Sequence, residues 1–397
     1  MNHADSQTEA PLPQEPIPLA QGAARSLYVH VPFCRHRCGY CNFAVVVGHR
    51  EWEPRLLRAY GQEARWTRND APLETLYIGG GTPSRLSLPG MEQLLELIHS
   101  RFRIAPGAEW TVEANPEDVS PAWLRLLQGY GVTRISLGVQ SFRPEKLRRL
   151  DRDHQPQQIR RAIDRVLEAG LVLSLDVIFA APGETLSQWR QELEAVQASG
   201  AQHVSLYGLT IERGTWFWSL RHHGKLHEVV EEVQAAMYLE AIQRLTAAGW
   251  EHYEVSNFAR PGYLCRHNLN YWHCDDYHAW GPGAARHYQG TRQTNHPSTS
   301  TYLRRVLAGR SPVWQSERLS PQLRMREALV LALRTTAGVD VGAFGRRWGT
   351  SPWQLAGETL RRFVEEGFLE ECGGTLRLSR RGLLVSDALW PELLAEA

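Results

Sequence analysis

The sequence predicts an α/β protein: a partial (β/α)6 barrel within residues 26–316 and a winged-helix-like α+β module at 317–397, with a disordered leader at 1–25. Three observations predict it. Short apolar runs, five of the six ending in glycine, proline or asparagine, alternate with stretches of helical periodicity, the pattern of a parallel sheet with crossover helices. Beyond residue 317 the chain instead strings helices together, then a small hairpin signal, Glu370-Glu371-Cys372-Gly373-Gly374-Thr375-Leu376-Arg377-Leu378, and a last helix at 381–389. The first 25 residues carry Pro, Gln, Glu and Ala with neither a basic start nor an apolar stretch, so they read as a leader without a secretory signal.

The units follow in order. The run 26–31 stops at Pro32 and leads into Cys34-Arg35-His36-Arg37-Cys38-Gly39-Tyr40-Cys41. The run 74–78 stops in Gly79-Gly80-Gly81-Thr82-Pro83, and 110–113 stops in Ala114-Asn115-Pro116. The run 133–139 stops at Gln140-Ser141-Phe142, 171–179 at Ala180-Ala181-Pro182-Gly183, and 203–207 at Gly208-Leu209-Thr210. Helical patterns fill 90–99, 121–130, 157–169 and 186–199. In barrels the site lies at the C-terminal ends of the strands. The cysteine loop, the glycines, Glu113, Gln140 and Asp176 are therefore expected at one mouth.

Composition narrows the function. The 397 residues hold 44 basic and 43 acidic side chains, a formal net charge of +1. That removes the electrostatic case for non-specific nucleic-acid binding, which depends on neutralising many phosphates. No stretch approaches the roughly 20 apolar residues of a membrane helix, and the expected compartment is the cytoplasm. Thiols stay reduced there, so the six cysteines are expected to be free, catalytic or metal-binding.

Spacings of four and three residues let one loop wrap Cys34, Cys38 and Cys41 around a single inorganic centre. Zinc in a closed site takes four ligands, and His30 or His36 would supply the fourth. An iron–sulfur cubane held by three cysteines would keep one iron open. Spacing leaves both standing. A second dense segment is Cys265-Arg266-His267-Asn268-Leu269-Asn270-Tyr271-Trp272-His273-Cys274-Asp275-Asp276-Tyr277-His278. Two readings apply to it from its residues: an aromatic-rich packing segment with exposed histidines, or a zinc site from Cys265, His267, Cys274 and His278.

Cys34-x3-Cys38-x2-Cys41 followed by Gly79-Gly80-Gly81-Thr82-Pro83 resembles the radical S-adenosylmethionine (SAM) superfamily. Tyr28-Val-His-Val-Pro-Phe-Cys34, Gly138-Val-Gln140-Ser-Phe142, Asp176-Val-Ile-Phe-Ala-Ala-Pro-Gly183 and His267-Asn268-Leu-Asn-Tyr271-Trp272 resemble its coproporphyrinogen dehydrogenase-like group, and within it the heme chaperone branch. The resemblance implies a [4Fe–4S] cluster on Cys34, Cys38 and Cys41 that chelates SAM and can cleave its C–S bond to a 5′-deoxyadenosyl radical. It implies SAM contacts at Tyr28, Gly80, Gly81, Thr82, Glu113, Gln140, Arg152 and Asp176. It places His267 in the heme-binding apparatus, with Cys265 as a rival iron ligand.

The decarboxylase of that group has a further cysteine two residues after the third, where this chain has Phe43. That departure disfavours an oxygen-independent coproporphyrinogen III oxidase and favours a chaperone delivering heme to respiratory hemoproteins at the inner membrane face. No catalytic residue is assigned. An electron donor protein belongs to the expectation, which leaves room for a peripheral membrane contact and a homodimer. A zinc-binding regulator is the third reading. Its winged-helix tail is poorly suited to DNA, since residues 318–397 hold 11 Arg and 10 acidic residues.

Overall fold

The computed structural model describes residues 24–67 and 69–395. The leader expected at 1–25 lies outside them except for its last two residues. Six strands follow along the chain: β1 (Ser26–Val31), β2 (Leu73–Gly80), β3 (Ile104–Ala114), β4 (Arg134–Gln140), β5 (Val172–Phe179) and β6 (His203–Gly208). Each pairs in parallel with the next. The crossovers include the helices Leu88–Arg101, Pro121–Gly129 and Leu186–Ala198. Ser87, Ser120 and Thr185 start these helices by accepting the backbone N–H of Gly90, Trp123 and Gln188, each satisfying a donor that a helix start leaves orphaned.

Three short strands that the sequence reading did not anticipate extend the sheet to nine. His278–Trp280 joins β1 in parallel, and Asn257–Ala259 and Glu251–Glu254 add antiparallel beyond β6. The strand order has two free ends, so the barrel is open. Segments of three or four residues carry too little periodicity to be read locally.

The strands alternate more sharply than their apolar appearance implies. Leu27, Val29, Val31, Leu76, Ile78, Trp110, Val112, Ile135, Leu137, Leu173, Leu175, Val204 and Leu206 are buried in the main core. Each such side chain contributes about 1.5–3 kcal/mol by leaving water. The intervening positions are polar: Ser26, Tyr28 and His30; Thr75 and Tyr77; Glu109, Thr111 and Glu113; Arg134 and Ser136; Ser174 and Asp176; His203 and Ser205. Successive strand residues face opposite ways, so one face of the sheet builds the core and the other lines the barrel with hydrogen-bonding groups.

Residues 278–318 clasp the first helix. Ala285–Tyr288, Thr291–Asn295 and Val313–Arg318 form a three-stranded antiparallel sheet. Glu63, on helix Glu53–Trp66, is 1 % exposed and accepts from Gly281 N, Arg286, Asn295 and the Tyr302 hydroxyl. A carboxylate this deep is tolerable because every donor around it is engaged with it. Where the second module begins, Glu317 and Arg318 complete a strand and Ser320 caps helix Pro321–Leu333.

From there a second core forms around Leu329, Leu333, Leu360, Phe363, Leu376 and Leu393. Its elements run helix, short strand Val339–Asp340, helices Val341–Trp348 and Pro352–Glu365, hairpin Leu369–Cys372 with Thr375–Leu378, and helix Arg380–Leu394. That is the winged-helix order the sequence predicts. No helix among the described residues is long and apolar enough to cross a membrane.

Candidate functional site

The cysteine loop emerges from β1 at the C-terminal end of the sheet and is gripped by the turn 151–153. His36 hydrogen-bonds with Asp151 at 2.9 Å, Arg35 lies 3.8 Å from Asp153, and Arg152 Nη1 donates to Cys38 Sγ at 3.4 Å. The other Arg152 terminal nitrogen donates to Asn115 Oδ1 at 2.8 Å and to Gly138 O at 2.9 Å. One planar guanidinium thus ties the thiol loop to the ends of β3 and β4. Cys34 Sγ meets Thr82 Oγ1 at 3.5 Å.

All three thiols are free and half-buried. Burial pushes the Cys34 thiol up to about 11, opposed by the Thr82 hydrogen bond and reinforced by Cys41 and Cys38. Burial also raises Cys41.

Geometry separates the two inorganic centres that spacing left open. His30 Nε2 is held by Ala44 O at 2.8 Å and His36 by Asp151, so neither imidazole completes a four-ligand zinc site. Sulfurs around one zinc, at about 2.3 Å each, lie no more than about 4.6 Å apart. Among the described residues only Cys274, His287 and Glu327 bring three ligand atoms within 4.8 Å of one another. The three loop sulfurs are thus not all within 4.8 Å of one another, so as they stand they do not close on a single zinc.

Tyr28, Gly80 and Glu113 line one cavity of about 370 Å³, together with His30, Phe43 and Trp314. Glu113 accepts from the Tyr77 hydroxyl at 2.8 Å and from Gly80 N at 3.0 Å. Its carboxyl is raised by burial, against those two bonds. On the next strands Ser136 donates to Asp176 at 3.2 Å. Burial, then the charge of Glu113, pushes Asp176 up to about 7. Gln140 sits at φ 62°, in the left-handed region, and its Nε2 lies beside Gly138 with Asn115 and Arg152.

The chain's own packing also demands these glycines. A Cβ on Gly80 would sit 2.3 Å from His30 Nδ1, and one on Gly81 would sit 2.7 Å from the Pro32 carbonyl carbon. The space is filled by the chain itself. Gly80 also has φ 109°, which L side chains rarely adopt.

His267 is not at this mouth. Its ring bonds with Thr75 Oγ1 and with the Tyr271 hydroxyl, both at 2.8 Å. Thr75 and Gly80 are separated by about 16 Å of strand, so the motif helix Arg266–Trp272 plugs the N-terminal end of the barrel. The ring is 1 % exposed, and burial lowers it to about 3. Both nitrogens are engaged, so iron reaches neither without breaking a bond. Cys265 is also buried, with its thiol 3.5 Å from Glu109. The four-ligand zinc set is not assembled: Cys274 belongs to the second core and His278 meets Asn69.

Sequence reasoning missed what seats this helix. Glu109 accepts from Arg266 N at 3.1 Å, His267 N at 3.0 Å and Arg134 at 3.0 Å, while Arg134 also donates to the carbonyls of Tyr263 and Leu264. The available signal was period-2 polarity, Glu109-x-Thr111-x-Glu113 in an otherwise apolar strand. Below the helix opens a cavity of about 570 Å³ in which Arg25, Arg266, His273, Arg324 and Arg347 face Glu74, Asp275 and Asp276.

A family model described as the Radical SAM superfamily matches residues 28–196, and one described as the HemN C-terminal domain matches 319–385. A Bacillus subtilis protein named Heme chaperone HemW is 32 % identical over 377 residues, 94 % of this chain and 100 % of its own. The Escherichia coli protein of that name is 39 % identical over 65 % of this chain and 69 % of its own. A bovine protein, Radical S-adenosyl methionine domain-containing protein 1, mitochondrial, is 34 % identical over 96 % of this chain and 90 % of its own. Among solved structures, Escherichia coli coproporphyrinogen III oxidase (HemN) superposes with a TM-score of 0.81 at 20 % identity, covering 96 % of this chain and 91 % of that one. At that identity the likeness concerns fold alone.

Proposed function

Because this chain belongs to the HemW heme chaperone family of the radical SAM superfamily, we propose that it binds heme for transfer to a recipient hemoprotein, with a [4Fe–4S] cluster and SAM at the barrel mouth. The observation that carries the reading is the trio of free, half-buried cysteines at the barrel mouth, with Arg152 and Thr82 against its sulfurs. Cys34, Cys38 and Cys41 would hold the cluster. Tyr28, Gly80, Gly81, Thr82, Glu113, Gln140, Arg152 and Asp176 would hold SAM around it. When bound, such a cluster supplies one electron to the sulfonium.

The chain's own residues prepare the site. Arg152 fixes the loop against β3 and β4 before anything binds. Glu113, anchored by Tyr77 and the Gly80 N–H, sets a negative charge where an ammonium would be met. Asp176 holds or releases its proton near neutrality. Phe43, 67 % exposed at the cavity rim, puts an apolar ring where a decarboxylase would place its further thiol. That favours the chaperone over coproporphyrinogen oxidation.

We place heme in the cavity beneath the motif helix. Arg25 and Arg266 pair there with Glu74 and Arg347 with Asp275, so propionates would take the place of these carboxylates, and His273 is the one imidazole lining it. His267, its ring engaged by Thr75 and Tyr271, would position the motif helix, and His273 is our candidate for the iron ligand. Recipients among respiratory hemoproteins, an electron donor protein, a peripheral contact at the inner membrane face and a homodimer complete the proposal.

Anaerobic reconstitution tests both halves on one sample. Near-stoichiometric [4Fe–4S] iron and sulfide, and a hemin Soret shift abolished by His273→Ala but retained in Cys265→Ala, are expected. A colourless protein after reconstitution would sink the cluster reading. A Soret shift indifferent to His273→Ala would sink the heme placement.

A further inference from the structure

We propose that Cys274, His287 and Glu327 form a site for one zinc-class divalent cation that pins the C-terminal module to the motif segment. The three come from different elements. Cys274 follows helix Arg266–Trp272, His287 lies on strand Ala285–Tyr288, and Glu327 lies on helix Pro321–Leu333. One ligand atom from each lies within 4.8 Å of the other two, and no other such group occurs among the described residues.

Two buried atoms point to a missing ligand. His287 Nε2 and Glu327 Oε2 are shut off from solvent and have no hydrogen-bond partner, and His287 is only 4 % exposed. A buried polar atom left unpaired costs about 1–3 kcal/mol, which a bound cation would remove at both. The opposite side of each ligand is already supported. Glu327 Oε1 is bonded by Arg292, and His287 Nδ1 lies 3.6 Å from Asp276 Oδ1. A carboxylate behind the far nitrogen is how metal-bound imidazoles are commonly oriented. The backbone is unusual as well: Cys274 has φ 54°, at a helix end where glycine is the ordinary occupant.

The donor set selects the ion. One sulfur, one imidazole nitrogen and one carboxylate oxygen suit zinc, which takes such mixed ligands tetrahedrally and keeps a fourth position for water when the protein supplies three. Thiolate and carboxylate together balance the double positive charge, and Arg292 holds the carboxylate in place. Calcium or magnesium would be disfavoured by the thiol.

The inference does not depend on the heme reading, so the test uses heme-free, cluster-loaded, full-length protein. It is supplied with zinc chloride, dialysed, and measured for total zinc and by zinc-edge X-ray absorption, which iron does not obscure. One zinc per chain with a first shell of one sulfur and the rest nitrogen or oxygen is expected. In Cys274→Ser the sulfur should vanish from that shell while iron and sulfide stay unchanged. His287→Gln should lower retained zinc at least about tenfold, in line with loss of a principal ligand. Absence of retained zinc in the parent protein would overturn the proposal. So would a shell of three sulfurs, which would put the ion on the cysteine loop, or a sulfur that persists in Cys274→Ser. If either variant fails to fold, the shell of the parent protein decides alone.

Discussion

Replacing Glu109 by alanine should loosen the motif helix without touching the cysteine loop. The carboxylate accepts from Arg134 and from the backbone N–H of Arg266 and His267. Arg134 and Glu109 are both buried. Removing one partner of a buried ion pair costs about 3–5 kcal/mol, because a charge is stranded. Arg134 keeps the carbonyls of Tyr263 and Leu264, which favours the lower end, about 3 kcal/mol. At about 1.4 kcal/mol per power of ten, amide hydrogen exchange over residues 264–273 should accelerate about a hundredfold. Glu109→Gln keeps an acceptor but loses the charge, so it should fall between, at about tenfold. Pairing Glu109→Ala with Arg134→Met should recover much of the loss, since no charge is then left unpaired. Exchange measured by mass spectrometry on the full chain reads the segment directly. An acceleration below about threefold in Glu109→Ala would refute the carboxylate as the anchor of this helix.

Gly80→Ala should abolish cluster assembly, since its Cβ would meet the His30 ring at 2.3 Å and φ is 109°; iron and sulfide counts after reconstitution check it. Arg152→Leu should release the cysteine loop and lower cluster yield. Arg152→Lys should rescue it poorly, because one ammonium cannot reproduce the fork spanning Cys38, Asn115 and Gly138. Asp176 sets a pH dependence. Its folded-state value is raised from 3.8 to about 7, so the folded state holds the proton more tightly. Stability from this group is full below pH ~4 and is lost as pH rises through about 7. The loss is at most about 4 kcal/mol, reduced by water in the open mouth. Asp176→Asn should flatten the stability profile across that interval in denaturant titrations, and an unchanged profile would contradict the assignment.

Much of the barrel was legible because its signals are local. Five of the six runs stop in Gly, Pro or Asn where the chain must turn. The predicted strand 26–31 and hairpin 370–378 agree with Ser26–Val31 and the pair Leu369–Cys372, Thr375–Leu378 to within a residue. The short strand His278–Trp280 was hidden because its identity rests on pairing with β1, some 250 residues earlier. Glu109 and Arg134 were hidden for a related reason: their partners come from the segment 263–267. The same holds for His267. Its composition suits a metal ligand, yet Thr75 and Tyr271 occupy its ring, and no spacing announces that.

The order of the six long strands and their crossover helices, and the thiol loop at the first strand's end, follow from the amino-acid sequence alone, because periodicity and turn chemistry act over a few residues. Which imidazole is locked and which faces a cavity was decided only by folding. So were the reach of Arg152 from the thiol loop to the ends of β3 and β4 and the meeting of Cys274, His287 and Glu327. These depend on distances between segments far apart in the chain, which are fixed when two cores pack and every buried polar atom must find a partner or lack one.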